Sequence, residues 1–252
     1  MGEGKHKPFI VMERISNSKN NSDKEDQKVS STVDRRSFLM SAGIAASVGA
    51  AMVACSKDHE PGPDPIGSVD LGSGDVGVLN YAYALEQLEA AFYIQVIDTP
   101  YDGMTAAEKT ILTDIRDHEI IHRDFFKAAL TAAAPTAIIP SLEVNFSGIN
   151  FKSRDIVLGA AKLFEDTGVA AYNGAGKLIK TPDYLVLAGK IVSVEARHAS
   201  VIGDLLKPNT ENFAGGDVVD NNGLDKAIDP ATILAAVKPY LKTNVTGANV
   251  GK

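Results

Sequence analysis

The sequence predicts an all-α protein: a four-helix bundle made of two helical hairpins joined by a long crossover, with a short fifth helix near the C-terminus. Three observations lead there. Four long segments carry apolar residues at helical spacing and are bounded by capping and proline signals. Connections within each pair of segments are short, but about twenty residues, APTAIIPSLEVNFSGINFKS, separate the second from the third. A compact domain carries such a connection only when the chain must travel. No segment of comparable length alternates with the period of a strand.

The first helix is expected over roughly 76–97, with Leu79, Ala82, Tyr93 and Ile97 at helical spacing and Asp98-Thr99-Pro100 ending it. Thr105 and Glu108 have the spacing of a capping box, in which hydroxyl and carboxylate each satisfy a free backbone amide. The second helix therefore starts there and runs to about Ala133, ahead of Pro135. Ser153 is expected to cap a third helix reaching about Leu178. Thr181 before Pro182 opens a fourth, since proline suits the first helical position, and Pro208 stops it. Asp229-Pro230 repeats the device for a shorter fifth segment over 230–242.

These faces carry more than core residues. The second helix reads Ile111, Ile115, Glu119, His122, Phe126, Ala129, and the fourth reads Ile191, Glu195, His198, Ile202, Leu205. Residues three apart project from one side of a helix, so each Glu-x-x-His aims an oxygen and a nitrogen at one point. The first helix offers Glu86 with Tyr93 seven residues on, and the third offers Glu165 with Tyr172 seven residues on. Glu86 to Glu119 is 33 residues and Glu165 to Glu195 is 30, the pattern of a duplicated hairpin.

Four carboxylates converging in a core repel one another and cost several kcal/mol each to desolvate. They must protonate or be neutralised. Two divalent cations would balance the four charges, with two neutral imidazoles completing the ligands. Mixed oxygen and imidazole ligation suits iron or manganese and tolerates zinc. The expected ligands are Glu86, Glu119, His122, Glu165, Glu195 and His198, the four-Glu, two-His pattern of dinuclear carboxylate bundles. Glu89 shares the face of Glu86, which is preferred because its spacing to Tyr93 mirrors Glu165 to Tyr172; Glu89 is either an extra ligand or a group behind the ligands. His118 and Arg197 either bond to the motif residues or lie at the surface, and Tyr93 and Tyr172 are either hydroxyl donors to the ligands or core aromatics. Asp117 and Asp166 are read as solvent-facing.

The chain ahead of the bundle carries an address. Residues 1–55 combine a polar, low-complexity start with DRRSFLMSAGIAASVGAAMVAC. Arg35 and Arg36 before Phe38-Leu39 and a weakly apolar run resemble a twin-arginine export signal, with Asp34 where Ser or Thr is common. Val53-Ala54-Cys55 resembles a lipobox, with Met52 where Leu is typical, so Cys55 is expected to be lipidated. Residues 56–75 read as a Pro-, Gly- and Asp-rich tether, 76–206 as the bundle, and 207–252 as a C-terminal extension. The expected location is the bacterial cell envelope, as a periplasmic or outer-membrane lipoprotein, with membrane contact through the lipid anchor only. From Ser56 onward there are 17 Lys and Arg against 26 Asp and Glu, and no basic stripe, which argues against a nucleic-acid partner. The single cysteine excludes a disulfide framework or thiolate metal cluster within the chain.

LNYAYALEQLEAAFY, IRDHEIIHRDFFKAAL, LFEDTGVAAYNGA and IVSVEARHASVI together resemble the bacterial ferritin-like domain family related to plant desiccation-related proteins, across roughly residues 76–206 and the later DPATILAAVKPYL. The resemblance implies a ferritin-like bundle, often exported, and the same six ligand positions. The function expected is a dinuclear iron or manganese centre acting on a small-molecule oxidant, oxygen or peroxide, by ferroxidase or peroxide-scavenging chemistry. The alternatives are a non-catalytic metal-binding or desiccation-stress protein and an interaction module that has kept the fold. The chain lacks the four-cysteine electron-transfer module of rubrerythrins, whereas manganese-catalase-like disproportionation needs no external donor. A lipid anchor and tether suit a closed iron-storage shell poorly.

Overall fold

A computed structural model gives the structure of residues 67–252. The export and lipidation signals expected at Arg35, Arg36 and Cys55 lie outside the described residues. Four long helices dominate: α1 (Gly74–Asp98), α2 (Ala106–Ala133), α3 (Arg154–Gly176) and α4 (Pro182–Leu206). A short α5 (Pro230–Val237) follows, and β1 (Ser68–Asp70) pairs in parallel with β2 (Asn244–Thr246). The helices pack chiefly as two hairpins, α1 on α2 and α3 on α4, with the expected crossover between them.

The capping signals divide. Thr105 and Glu108 form the expected box: Thr105 Oγ1 accepts from Glu108 N at 3.2 Å, and Glu108 Oε2 accepts from Thr105 N at 2.9 Å. Glu108 also accepts from Arg154 Nε at 2.6 Å, tying the start of α2 to the start of α3. Asp229 caps α5 through Thr232 N at 3.0 Å. Ser153 and Thr181 occupy their N-cap positions without a side-chain cap bond. Lys180 and Thr181 instead donate backbone N–H groups to the Asp75 carboxylate at 2.8 and 2.9 Å, fastening the α3–α4 turn to the start of α1.

Two elements differ from expectation. The fifth helix stops at Val237 and tightens into a 3-10 turn over Lys238–Tyr240, short of Lys242, because Pro239 brings no N–H to continue the α pattern. Order also begins inside the stretch read as tether. Val69 pairs with Val245, Leu71 N donates to Thr246 O at 2.9 Å, and Leu71 is fully buried. A three-residue strand whose partner lies far along the chain leaves no local periodic signal.

Helix α1 is buried around almost its whole circumference, beyond the single face read from Leu79, Ala82, Tyr93 and Ile97. The crossover covers its outer side, held by two polar residues two turns apart. Asn80 donates to Ala137 O at 2.8 Å and accepts from Ile139 N at 3.2 Å; Gln87 accepts from Leu142 N at 2.8 Å. Phe146 and Phe151 of the crossover then pack on Phe92, which meets Phe164 at a centroid distance of 5.0 Å.

The extension lies on the second hairpin. Ile228 N donates to Ala170 O at 3.0 Å, and the chain passes so close to α3 that a Cβ at Gly174 would sit 1.7 Å from Ile228 O. Gly174→Ala is expected to dislodge this segment and cost about 1–3 kcal/mol, as overpacking does, despite alanine's better helix propensity. Hydrogen exchange at the Ile228 amide and thermal melting check it; an unchanged or raised melting temperature would contradict this docking.

Candidate metal centre

Helical periodicity aims Glu86 of α1, Glu119 and His122 of α2, Glu165 of α3, and Glu195 and His198 of α4 inward, and packing brings them to one level of the bundle. The four carboxylates are all 0% exposed, and both histidines are buried. Glu86, Glu119, His122 and Glu195 place one donor atom each within 4.8 Å of one another, as do Glu119, Glu165, Glu195 and His198. Glu119 and Glu195 belong to both groups, while Glu86 and Glu165 belong to one each.

The two halves repeat each other closely. His122 Nδ1 lies 2.8 Å from Glu195 Oε1, 3.5 Å from Glu86 Oε2 and 3.7 Å from Glu119 Oε2. His198 Nδ1 lies 2.8 Å from Glu119 Oε1, 3.5 Å from Glu165 Oε2 and 3.7 Å from Glu195 Oε2. These atoms are near one another without hydrogen-bond geometry: both oxygens of Glu119 and Glu195, Oε2 of Glu86 and Glu165, and both Nδ1 atoms are buried and unpaired. Buried polar groups are otherwise almost always paired. Lone pairs that converge on a common point without bonding each other are the donor set a cation requires. The residues therefore fit a metal ion held by carboxylate oxygens and imidazole Nδ1.

The tyrosines make a contact that sequence spacing did not reveal. Tyr93 of α1 donates its hydroxyl to Glu165 Oε1 of α3 at 2.5 Å, and Tyr172 of α3 donates to Glu86 Oε1 of α1. Each bonds the glutamate of the opposite half, not the one on its own helix. The outer oxygen of each such glutamate is thereby engaged, and the inner Oε2 faces the cluster. Burial and the adjacent carboxylates push both phenols well above their ordinary pKa, so they stay protonated donors.

Protonation follows the same geometry. Burial opposes the charged form of His122 and His198, but the surrounding carboxylates outweigh it and hold both up at about 12. Burial would also raise Glu119, yet the two histidines pull it down to about 2. Glu165 is pushed up to about 8 by burial and by the Glu119 and Glu195 charges, against the pull of His198. Burial, with the Glu195 charge next, drives Glu86 well above the carboxylate range. Without metal, the cluster keeps itself neutral with protons.

The surrounding residues sort as follows. His118 is exposed yet lies with Nδ1 2.9 Å from His198 Nε2, the ring planes 14° apart. When His198 presents Nδ1 inward as a ligand, its Nε2–H donates to His118 and the ring's orientation is held. Arg197 turns along α4, donating to Ser193 O at 3.2 Å and Ser193 Oγ at 3.1 Å, and takes the surface alternative. Asp117 is exposed, as expected; Asp166 is half-buried and paired with Lys162 at 2.5 Å, a correction to its solvent-facing reading. Glu89 is only 3% exposed, with Oε2 unpaired, and it is absent from both four-residue groups.

Glu89 owes its place to Gly168, where an added Cβ would lie 2.9 Å from Glu89 Oε1. The sequence signal for this pair was present: superposing Glu86 on Glu165 and Tyr93 on Tyr172 sets Glu89 opposite Gly168, so one half has a carboxylate where the other has no side chain.

No curated protein matches this chain. The model of the ferritin-like domain matches residues 74–208, over half of the chain and spanning all four bundle helices with the six converging residues. The chain belongs to the ferritin-like domain family.

Proposed function

We propose that this protein holds two iron or manganese ions between its four helices and acts on dioxygen or peroxide as an exported redox protein of the cell envelope. The observation that carries the reading is the convergence of unpaired, fully buried donor atoms from all four helices. A bound pair of such metals would supply electrons and Lewis acidity to an oxygen substrate.

The chain's own residues prepare that role. Glu119 and Glu195 belong to both donor groups and would help hold both ions; Glu86 with His122, and Glu165 with His198, would complete one side each. Tyr172 and Tyr93 fix the outer oxygens of Glu86 and Glu165, and His118 orients His198. Arg35-Arg36 and Cys55 support export and anchoring, and among the described residues no helix is long and apolar enough to cross a membrane.

The test is metal content by plasma mass spectrometry on full-length protein purified without added metal, beside a Glu119→Ala/Glu195→Ala control. About two equivalents of iron or manganese are expected per chain, as in other dinuclear carboxylate bundles, and little in the control. Dioxygen and peroxide consumption follow on the loaded protein. No metal after anaerobic reconstitution would sink the reading; metal without turnover would leave a non-catalytic metal protein.

A further inference from the structure

Next to the ligand layer, toward the end of the bundle where α1 begins, the side chains leave an apolar cavity of about 30 Å³. Its wall includes Ala82, Phe126, Tyr172 and Ile191. These stand four residues before Glu86, four after His122, seven after Glu165 and four before Glu195. All four helices thus line it with the turns adjoining their ligands. Tyr172 forms the partition: its ring lines the cavity and its hydroxyl holds Glu86.

The internal duplication explains why the space exists at this end. Aligning Glu86 with Glu165 and Tyr93 with Tyr172 sets Phe92 opposite Ala171 and Val96 opposite Ala175. Toward the other end Phe92 is fully buried against Tyr93 and Phe164, at centroid distances of 5.2 and 5.0 Å, and Val96 is 1% exposed. Ala171 and Ala175 both line the cavity. Two alanines leave open what a phenylalanine and a valine fill in the other half.

The lining has no charged side chain; of its three tyrosines, Tyr172 has its hydroxyl engaged by Glu86, and Tyr81 has a buried hydroxyl without a hydrogen-bond partner among the described residues. Roughly 10–15 Å³ suffices for one small guest, so the cavity has room for a diatomic molecule. Hydrogen peroxide, with two hydroxyls, would recover at most a bond or two from tyrosine hydroxyls in an otherwise apolar wall and forfeit the rest, whereas dioxygen has none to lose. We infer that this cavity is a holding site for dioxygen, one layer from the metal-binding cluster and separated from it by Tyr172. The inference rests on the metal-binding reading and names dioxygen, not peroxide, as the oxidant served from this side.

The test uses full-length protein, wild type beside Ala175→Val and Ala171→Val, which add bulk where the other half already carries it. Xenon binding, followed by ¹²⁹Xe NMR on metal-free protein, reports the cavity without reference to activity. Protein loaded anaerobically with ferrous iron is then mixed with dioxygen or with hydrogen peroxide. In the dioxygen reaction two ferrous ions give up one electron each, and one dioxygen takes both electrons and two protons to leave as hydrogen peroxide.

Wild type is expected to bind xenon and the valine variants to lose it. The dioxygen reaction is expected to slow roughly tenfold in the variants, equivalent to about 1.4 kcal/mol of barrier, while the peroxide reaction keeps its rate. No xenon in wild type, or a dioxygen rate unmoved by filling the cavity, would overturn the inference and leave the metal reading intact. Failure of wild type to take up iron would overturn both.

Discussion

Adding manganese or ferrous ions to the metal-free protein near pH 7 is expected to release about four protons per chain, because ligands must be deprotonated to bind. One comes from each of His122 and His198, both held up at about 12 by the carboxylates around them. One comes from Glu165, at about 8, and one from Glu86, driven up by burial. Glu119, pulled down to about 2, is already ionised and releases none. Two dications thus replace four protons and the core stays near neutrality, the least costly exchange for a desolvated cluster.

The sign of the pH dependence follows. Metal binding competes with protons, so affinity rises with pH. Below about pH 8 His122, His198 and Glu165 hold protons, with Glu86 pushed up beside them by burial, and the overall constant for two ions should climb by about three to four decades per pH unit. Above that point Glu165 has already given up its proton and the slope becomes shallower. Calorimetry in buffers of different ionisation enthalpy measures the release directly. A release near zero would contradict the protonated, metal-ready cluster.

Glu89→Leu is expected to raise the stability of the metal-free protein and leave two metals binding. Glu89 is buried, its Oε2 makes no hydrogen bond to the described residues, and burial, then the Glu195 charge, drives its pKa well up. Leucine is shorter, so Gly168 does not obstruct it. Replacing such a group with an apolar side chain is worth about 1–3 kcal/mol, which for a domain of this size raises the melting temperature by roughly 2–4 °C per kcal/mol. The gain should grow with pH. Below the ordinary carboxylate range Glu89 is protonated whether folded or unfolded; above it the unfolded chain ionises and the folded one resists. If the variant instead loses a metal equivalent, or wild type releases about five protons where about four are expected, Glu89 is a seventh ligand.

Much of this was legible because helices write their faces locally. The steps Ile115, Glu119, His122, Phe126 and Ile191, Glu195, His198, Ile202 place oxygen and nitrogen among core residues at helical spacing, and the structure buries every one of those residues. The Thr105-Glu108 box and the Asp229 cap are short-range devices, and both formed as read. The twenty-residue connection announced the crossover by its length alone.

What escaped were relations between distant segments. The choice of glutamate by each tyrosine depends on how α1 and α3 meet, and they meet so that Tyr93 serves Glu165 and Tyr172 serves Glu86. The roles of Asn80 and Gln87 depend on where the crossover lies, and Ser68–Asp70 became a strand only because Asn244–Thr246 came beside it.

By itself, then, the sequence determined four helices, their order, and the Glu and His residues that each turns inward, since a period of 3.6 residues is a property of one helix alone. Tertiary structure decided which outer oxygens are engaged and which inner ones stay unpaired, that Gly168 yields room to Glu89, and that Ala171 and Ala175 leave a cavity where Phe92 and Val96 leave none. Those outcomes rest on the offset and rotation of helices against one another, which are set only when side chains remote in sequence pack.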